Sequence, residues 1–128
     1  FNKPYKEKIK KLTFNFADIK KGETMLVSSP SSIAKFIKKI PKGKKKTVIE
    51  MRNALAKKAK VNTTCPVSTG IFLRIAIEAS LEEQRKKKLK KPNLPFWRII
   101  DEKTAVAKKL SISKKLLNTY INQELRNE

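Results

Sequence analysis

Whatever fold this chain adopts must keep 32 lysine and arginine side chains in water. Only 11 acids offset them, leaving a net charge of +21. An excess of this size opposes compaction by self-repulsion and attracts polyanions. Nucleic acid is the first partner this implies, and an anionic membrane surface the second. The plain alternative is a lysine-rich surface that is merely solvated. Of the basic residues 27 are lysines, and only Arg52, Arg74, Arg85, Arg98 and Arg126 are arginines. Lysine is a flexible point charge suited to phosphate, whereas arginine is the usual bidentate reader of guanine. The balance therefore points to contact with a phosphate backbone and little base readout.

The remaining composition excludes several classes. The 128 residues suit one domain with a modest core. No apolar run approaches the roughly 18–20 residues of a spanning helix. There is no histidine and a single cysteine, Cys65. That rules out a disulfide within the chain and an ordinary zinc site, and it removes the commonest general base. No cofactor is implied. A reducing, cytoplasmic setting is expected, with the protein associated with the nucleoid or with a ribonucleoprotein. The chain starts at Phe1, so an upstream segment is expected to be missing.

The pattern along the chain predicts a mainly α protein with a small β wing, a winged helix-turn-helix. Residues 1–24 read as a basic N-terminal arm, in which lysines alternate with Phe1, Tyr5, Leu12, Phe14 and Phe16. Leu12, Phe14 and Phe16 alternate as in a short strand, and Met25-Leu26-Val27 reads as another. Residues 25–110 form the winged-helix unit. Ser28-Ser29-Pro30-Ser31 opens a helix with Ile33, Phe36, Ile37 and Ile40 on one face, and Pro41 and Gly43 stop it. Thr47 and Glu50 make a capping box for a helix to about Lys60, with Ile49 and Leu55 inward. A turn at 61–66 leads to a long helix from about Val67 to Lys88, whose inward stripe is Ile71, Phe72, Ile75, Ala76 and Ala79, widened by Leu73 and Ile77. Two helices across a short polar turn make a helix-turn-helix candidate. Phe96–Ile100 reads as a strand and Thr104–Ala107 as its returning partner, together the wing. Ser113 caps a last helix, residues 111–128, with Leu116, Leu117, Tyr120, Ile121 and Leu125 on one face.

Several of these segments resemble one family. Pro95-Phe96-Trp97-Arg98, followed by Ile99-Ile100, is similar to the Pro-Cys-His-Arg-Val signature of the O6-alkylguanine-DNA alkyltransferases. Ile40-Pro41-Lys42-Gly43-Lys44, with Thr47 behind it, is similar to that family's Ile-Pro-x-Gly-x-Val-x-Thr, and Gly70 falls on its helix glycine. The match covers about residues 31–107. Alkyltransferase-like proteins, which also replace the acceptor cysteine, are the closer comparison, and the run Ile40–Lys46 with Thr64-Cys65-Pro66 and Thr69-Gly70-Ile71-Phe72 is more similar still to a group of small bacterial proteins carrying the methyltransferase-family label. The resemblance implies a DNA-binding scaffold related to DNA repair and damage recognition, without the transfer reaction. Phe96 stands at the acceptor cysteine and Trp97 at the histidine that helps ionise it. A thiolate is needed to take an alkyl group, and a phenyl ring cannot supply one. The family's nucleotide-rotating tyrosine falls on Val48, its arginine finger on Val67, and a small residue on Phe72. Base flipping is therefore not carried over, because extrusion needs a wedge in the vacated stack.

The candidate nucleic-acid-binding residues are Lys42, Gly43, Lys44, Lys45, Lys46 and Thr47, a tight basic loop entering a helix start. To these are added Ser68, Thr69 and Gly70 at a sugar-phosphate edge, the cations Lys86, Lys87 and Lys88, and Trp97 and Arg98. Side chains alternate along a strand, so Phe96 and Trp97 should face opposite ways, one in the core and one free to stack. Arg98 suits phosphate or structural carbonyls, with the structural role favoured. Gly70 fits close approach of DNA or of a neighbouring helix. Cys65 reads as a turn residue and not a nucleophile. Glu82 and Glu83 should pair with Lys86 and Lys87. The function expected is non-enzymatic DNA binding by a protein taken as a monomer. An RNA-binding component of a ribonucleoprotein such as the ribosome is the alternative, and a protein-interaction role for the last helix a third reading.

Overall fold

The fold is built in the order β1 (Lys8–Lys11), β2 (Thr24–Val27), α1 (Pro30–Lys39), α2 (Val48–Ala59), β3 (Thr63–Thr64), α3 (Pro66–Lys87) and α4 (Lys114–Arg126). Two 3-10 turns, Phe96–Arg98 and Ala105–Lys109, lie between α3 and α4. This computed structural model describes residues 6–17 and 19–126. Phe1, Lys3 and Tyr5 of the expected arm lie outside the described residues.

The helix starts follow from local chemistry. Ser29 caps α1, its hydroxyl accepting from the Ser32 amide, with Pro30 in the first turn. At α2 the Thr47 hydroxyl accepts from the Glu50 amide at 3.0 Å, and the Glu50 carboxylate accepts from the Thr47 amide at 3.1 Å. That helix stops at Lys60, which takes the left-handed conformation. The Ser113 hydroxyl accepts from the Leu116 amide to start α4.

The small sheet has the order β1-β2-β3. β1 pairs antiparallel with β2, and β2 pairs parallel with β3. A parallel pair needs a crossover, which α1, the 40–47 loop and α2 provide. The Asn62 side-chain oxygen accepts from both the amide and hydroxyl of Thr24, at 2.8 and 3.0 Å. Thr64 ties β3 to α2, its hydroxyl donating to the Arg52 carbonyl at 2.8 Å. Part of the expected arm is thus built into the sheet: Leu12, Ile19, Met25 and Cys65 form a small second cluster. The strand covers Lys8–Lys11, not Leu12–Phe16, and Phe14 is exposed.

The main core joins Ile33 and Ile37 of α1, Met51 and Leu55 of α2, Leu73, Ile77 and Leu81 of α3, and Leu117 and Tyr120 of α4 around Phe96 and Trp97. Two expected inward residues point out: Ile49 is 64% and Ile71 54% exposed. On α3 the buried face keeps the expected Leu73, Ala76 and Ile77 and adds Ser80 and Leu81. The sequence stripe was wide enough to be read from either side. On α4, Leu116 and Leu125 are exposed and the acid Glu124 is buried.

The expected wing strands are absent. Phe96–Arg98 is a 3-10 turn in which the Phe96 carbonyl accepts from the amides of both Ile99 and Ile100 at 3.1 Å. Leu94, Phe96, Trp97, Ile99 and Ile100 are all buried. A strand of an exposed wing would leave alternate residues in water, whereas a tight turn buries consecutive ones. At 104–107 local polar bonds win over pairing. The Asp101 carboxylate accepts from the Lys103 amide at 2.9 Å, and the Thr104 hydroxyl accepts from the Asp101 amide at 3.0 Å. The chain then turns into the Ala105–Lys109 3-10 segment.

Candidate nucleic-acid interface

The lysine loop follows directly from the way α1 ends. Ile40 leaves α1 in extended conformation, and Gly43 sits at φ +82°, a left-handed position that favours glycine. The Lys44 amide closes the turn onto the Pro41 carbonyl at 3.0 Å, and the Lys46 amide donates to the Arg98 carbonyl at 2.9 Å. These bonds fix the backbone while Lys42, Lys44, Lys45 and Lys46 stay exposed. Lys45 pairs with Asp101 at 3.8 Å and Lys46 with Glu50 at 3.7 Å. Both pairs are half in solvent. The Thr47 amide holds the Glu50 carboxyl below its ordinary range, and the Lys103 amide does the same for Asp101.

Beneath the loop lies Arg98, which is not a surface contact. Its Nε donates to Glu124 Oε1 at 2.9 Å, its Nη2 to the same oxygen at 2.6 Å, and its Nη1 to the Ile40 carbonyl at 2.8 Å. One guanidinium thus ties together the end of α1, the 3-10 turn and α4. Burial pushes the Glu124 carboxyl up. The Arg98 guanidinium, followed by the Trp97 indole and the Gly43 amide, more than offsets this and holds it below the ordinary range. The indole nitrogen is buried without a well-formed hydrogen bond, so we take its influence on Glu124 as that of a nearby dipole.

Trp97 is buried too, against the expectation that one of the aromatic pair is free. Its ring lies 5.4 Å from Phe96 and 5.0 Å from Tyr120, centroid to centroid. Consecutive residues of a 3-10 turn need not face opposite ways as on a strand, so both enter the core. No stacking platform for a base remains there.

The N-terminal half of α3 presents a face made of exposed Val67, Ile71 and Arg74 with the half-buried Gly70 among them. A Cβ built on Gly70 meets nothing within 4 Å, so tight packing against another helix does not explain this glycine. Thr69 is fully buried, its hydroxyl donating to the Cys65 carbonyl at 2.6 Å, and Ser68 Oγ is buried with no hydrogen-bond partner among the described residues. Neither hydroxyl is presented at the surface. Between this face and the Ala105–Lys109 turn runs a groove of about 620 Å³, lined by Val67, Gly70, Ile71, Ile75, Val106 and Lys109 among others. A second groove, about 300 Å³, runs between Ile99, Ile100, Asp101 and Thr104 of the preceding stretch and Lys45, Lys46, Thr47 and Ile49.

The structure therefore places part of the lysine loop against residues 99–104 and the Gly70 face against residues 105–109 of one segment. Lys86, Lys87 and Lys88 are not brought there. They end α3, 16 to 18 residues beyond Gly70, or roughly 25 Å along the axis. Lys86 and Lys87 pair with Glu82 and Glu83 as the spacing implied, at 3.0 and 3.4 Å, and Lys88 adopts the left-handed cap. Sequence reasoning missed Ile71, Arg74 and Lys109, because only the packing of the 3-10 turn beside α3 places them together. Cys65 is buried at the start of α3. Among the described residues no cluster of acids, cysteines or histidines could hold a metal ion, and no helix is long and apolar enough to cross a membrane.

Searches of protein-family models, of curated proteins and of solved structures return no match to this chain.

Proposed function

We propose that this protein binds nucleic acid, with duplex DNA favoured, and performs no reaction on it. The lysine loop takes phosphates through Lys42, Lys44, Lys45 and Lys46, with Thr47 at the start of α2. The open Gly70 face of α3 lies along the sugar-phosphate edge. In this reading α2, the 60–65 turn and α3 act as a helix-turn-helix, and the 99–109 segment takes the place of a wing between them. The observation that carries it is that Lys45 and Lys46 of the loop and the Gly70 face line grooves against successive stretches of that one segment. The bare glycine supports it further, because backbone approach is a use for Gly70 that internal packing does not supply. The alkyltransferase-like resemblance points the same way, and its missing acceptor thiol supports a binding role. The one thiol, Cys65, is buried, and no histidine exists to ionise it.

The test is a competition among plain duplex, O6-methylguanine duplex and folded RNA at two salt concentrations, with the Lys44→Gln/Lys45→Gln/Lys46→Gln variant alongside. Affinity for duplex falls steeply with salt, by about 0.9 in the logarithmic slope per neutralised phosphate, and the triple variant flattens that slope by nearly three such increments. A flat salt response in the parent protein overturns the proposal. Preference for the folded RNA replaces it with the ribonucleoprotein reading.

A further inference from the structure

A second basic concavity lies between α1 and α2. It encloses about 500 Å³ and is lined by Lys35, Lys39 and Lys58 at its rim and by Leu26, Phe36 and Leu55 within. It shares no lining residue with either groove beside the 99–109 segment. On α2, Ile49 belongs to the first face and Lys58 to this one. Nine positions are about two and a half turns, so the two residues lie on opposite sides of the helix. Among the described residues no ion pair neutralises Lys35, Lys39 or Lys58, in contrast to Lys45, Lys46, Lys86 and Lys87. One acid does reach the cavity: Glu7, just before β1, lines it and accepts a hydrogen bond from the Ser32 hydroxyl on α1.

We propose that this cavity is a separate site for single-stranded nucleic acid. The phosphates of the strand pair with Lys35, Lys39 and Lys58, and one base enters against the half-buried Phe36 ring. Three unpaired cations around an apolar floor with an aromatic ring is the combination that holds unpaired strands. A duplex does not fit it, because its bases are stacked inside and its convex backbone cannot reach the floor. The Glu7 carboxylate stands where a phosphate oxygen would go, so the segment before β1 competes with the strand and lowers the affinity of the site. With a duplex on the first face, one molecule then holds two nucleic-acid segments at once.

The experiment measures binding of a short thymidine oligonucleotide, by fluorescence anisotropy, to the full chain and four variants, each checked by circular dichroism. Lys35→Gln/Lys39→Gln/Lys58→Gln weakens binding at least tenfold. A control with equal loss of charge, Lys20→Gln/Lys114→Gln/Lys115→Gln, stays within twofold. Phe36→Leu, which keeps the core filled, weakens binding about fivefold or more, and Glu7→Gln tightens it. Equal weakening by the control, or oligonucleotide binding unchanged while binding to phosphatidylglycerol vesicles is lost, overturns the proposal. The duplex reading is scored separately, since the Lys44/Lys45/Lys46 variant reports on the first face alone.

Discussion

Replacing Arg98 by methionine tests whether this residue is architecture or interface. The change removes three contacts of 2.9, 3.2 and 2.6 Å to the Glu124 carboxylate and one of 2.8 Å to the Ile40 carbonyl. The partners left behind are buried: Glu124 is 7% and Ile40 4% exposed. Breaking a buried pair by removing one member costs about 3–5 kcal/mol, because a charge is stranded out of water. That is a large part of the roughly 5–15 kcal/mol total of a domain. At this chain length it lowers Tm by on the order of 10–20 °C. Adding Glu124→Leu removes the stranded carboxylate and recovers most of the loss, leaving the unpaired Ile40 carbonyl at about 1–3 kcal/mol. The assay is urea and thermal unfolding followed by circular dichroism for Arg98→Met, Glu124→Leu and the double variant. Duplex binding is then measured at a temperature where all are folded, and it stays within about twofold of the parent, about 0.4 kcal/mol. A Tm for Arg98→Met within about 2 °C of the parent, under 1 kcal/mol, refutes the clamp. Loss of binding by a fully folded variant returns Arg98 to the interface.

Three further outcomes follow from the same geometry. Gly70→Ala adds a methyl that meets nothing, so it stabilises α3 by up to about 1 kcal/mol in urea unfolding. The same variant weakens duplex binding, and a variant that is both stabler and equally tight argues against backbone approach. Thr47→Ala removes the hydroxyl half of the α2 capping box and costs about 1 kcal/mol, read as a lower urea midpoint at unchanged slope. Acid titration of unfolding separates the carboxylates. Glu50, Asp101 and Glu124 all have folded pKa values below their ordinary ones. Their stabilisation is complete above the unfolded range of about 4 and is lost as pH falls through the folded values. Glu124→Gln flattens that acid limb, and an unchanged limb counts against the Arg98–Glu124 pair.

The helices were legible because their ends are written in short-range chemistry. Ser29 with Pro30, Thr47 with Glu50, and Ser113 each satisfy first-turn amides from within four residues, so no tertiary knowledge is needed. The segment from Pro95 to Lys109 was misread because a continuous apolar run fits a strand and a buried turn equally well. What decides between them is the packing of Phe96 and Trp97 with the core residues of α1, α3 and α4, which is not visible in a window of ten residues. The candidate site divides the same way. The lysine loop was legible as a run, and the Gly70 position from the resemblance. Arg98 and Trp97 were drawn into the site because their chemistry suits both roles, and only burial separates them. The cavity of Lys35, Lys39 and Lys58 was not legible, because it takes two helices folded against each other to bring those positions together.

The acids of the first face can be understood from this division of charge. Lys45 and Lys46 are held by Asp101 and Glu50 at 3.7–3.8 Å in half-exposed pairs, and such pairs are worth about 0–1 kcal/mol. Each acid is anchored independently of its lysine, Glu50 by the capping box and Asp101 by the Lys103 amide. A phosphate can therefore take the lysine without disturbing the acid's structural bonds, and little energy is lost in the exchange. The same pairs lower the local self-repulsion of a strongly cationic loop. Arg98 is the opposite case: its acid is buried, the exchange would strand Glu124, and the guanidinium stays where it is. On the proposed reading, the weak exposed pairs leave Lys45 and Lys46 free to exchange onto a phosphate, and the strong buried pair keeps Arg98 out of that exchange.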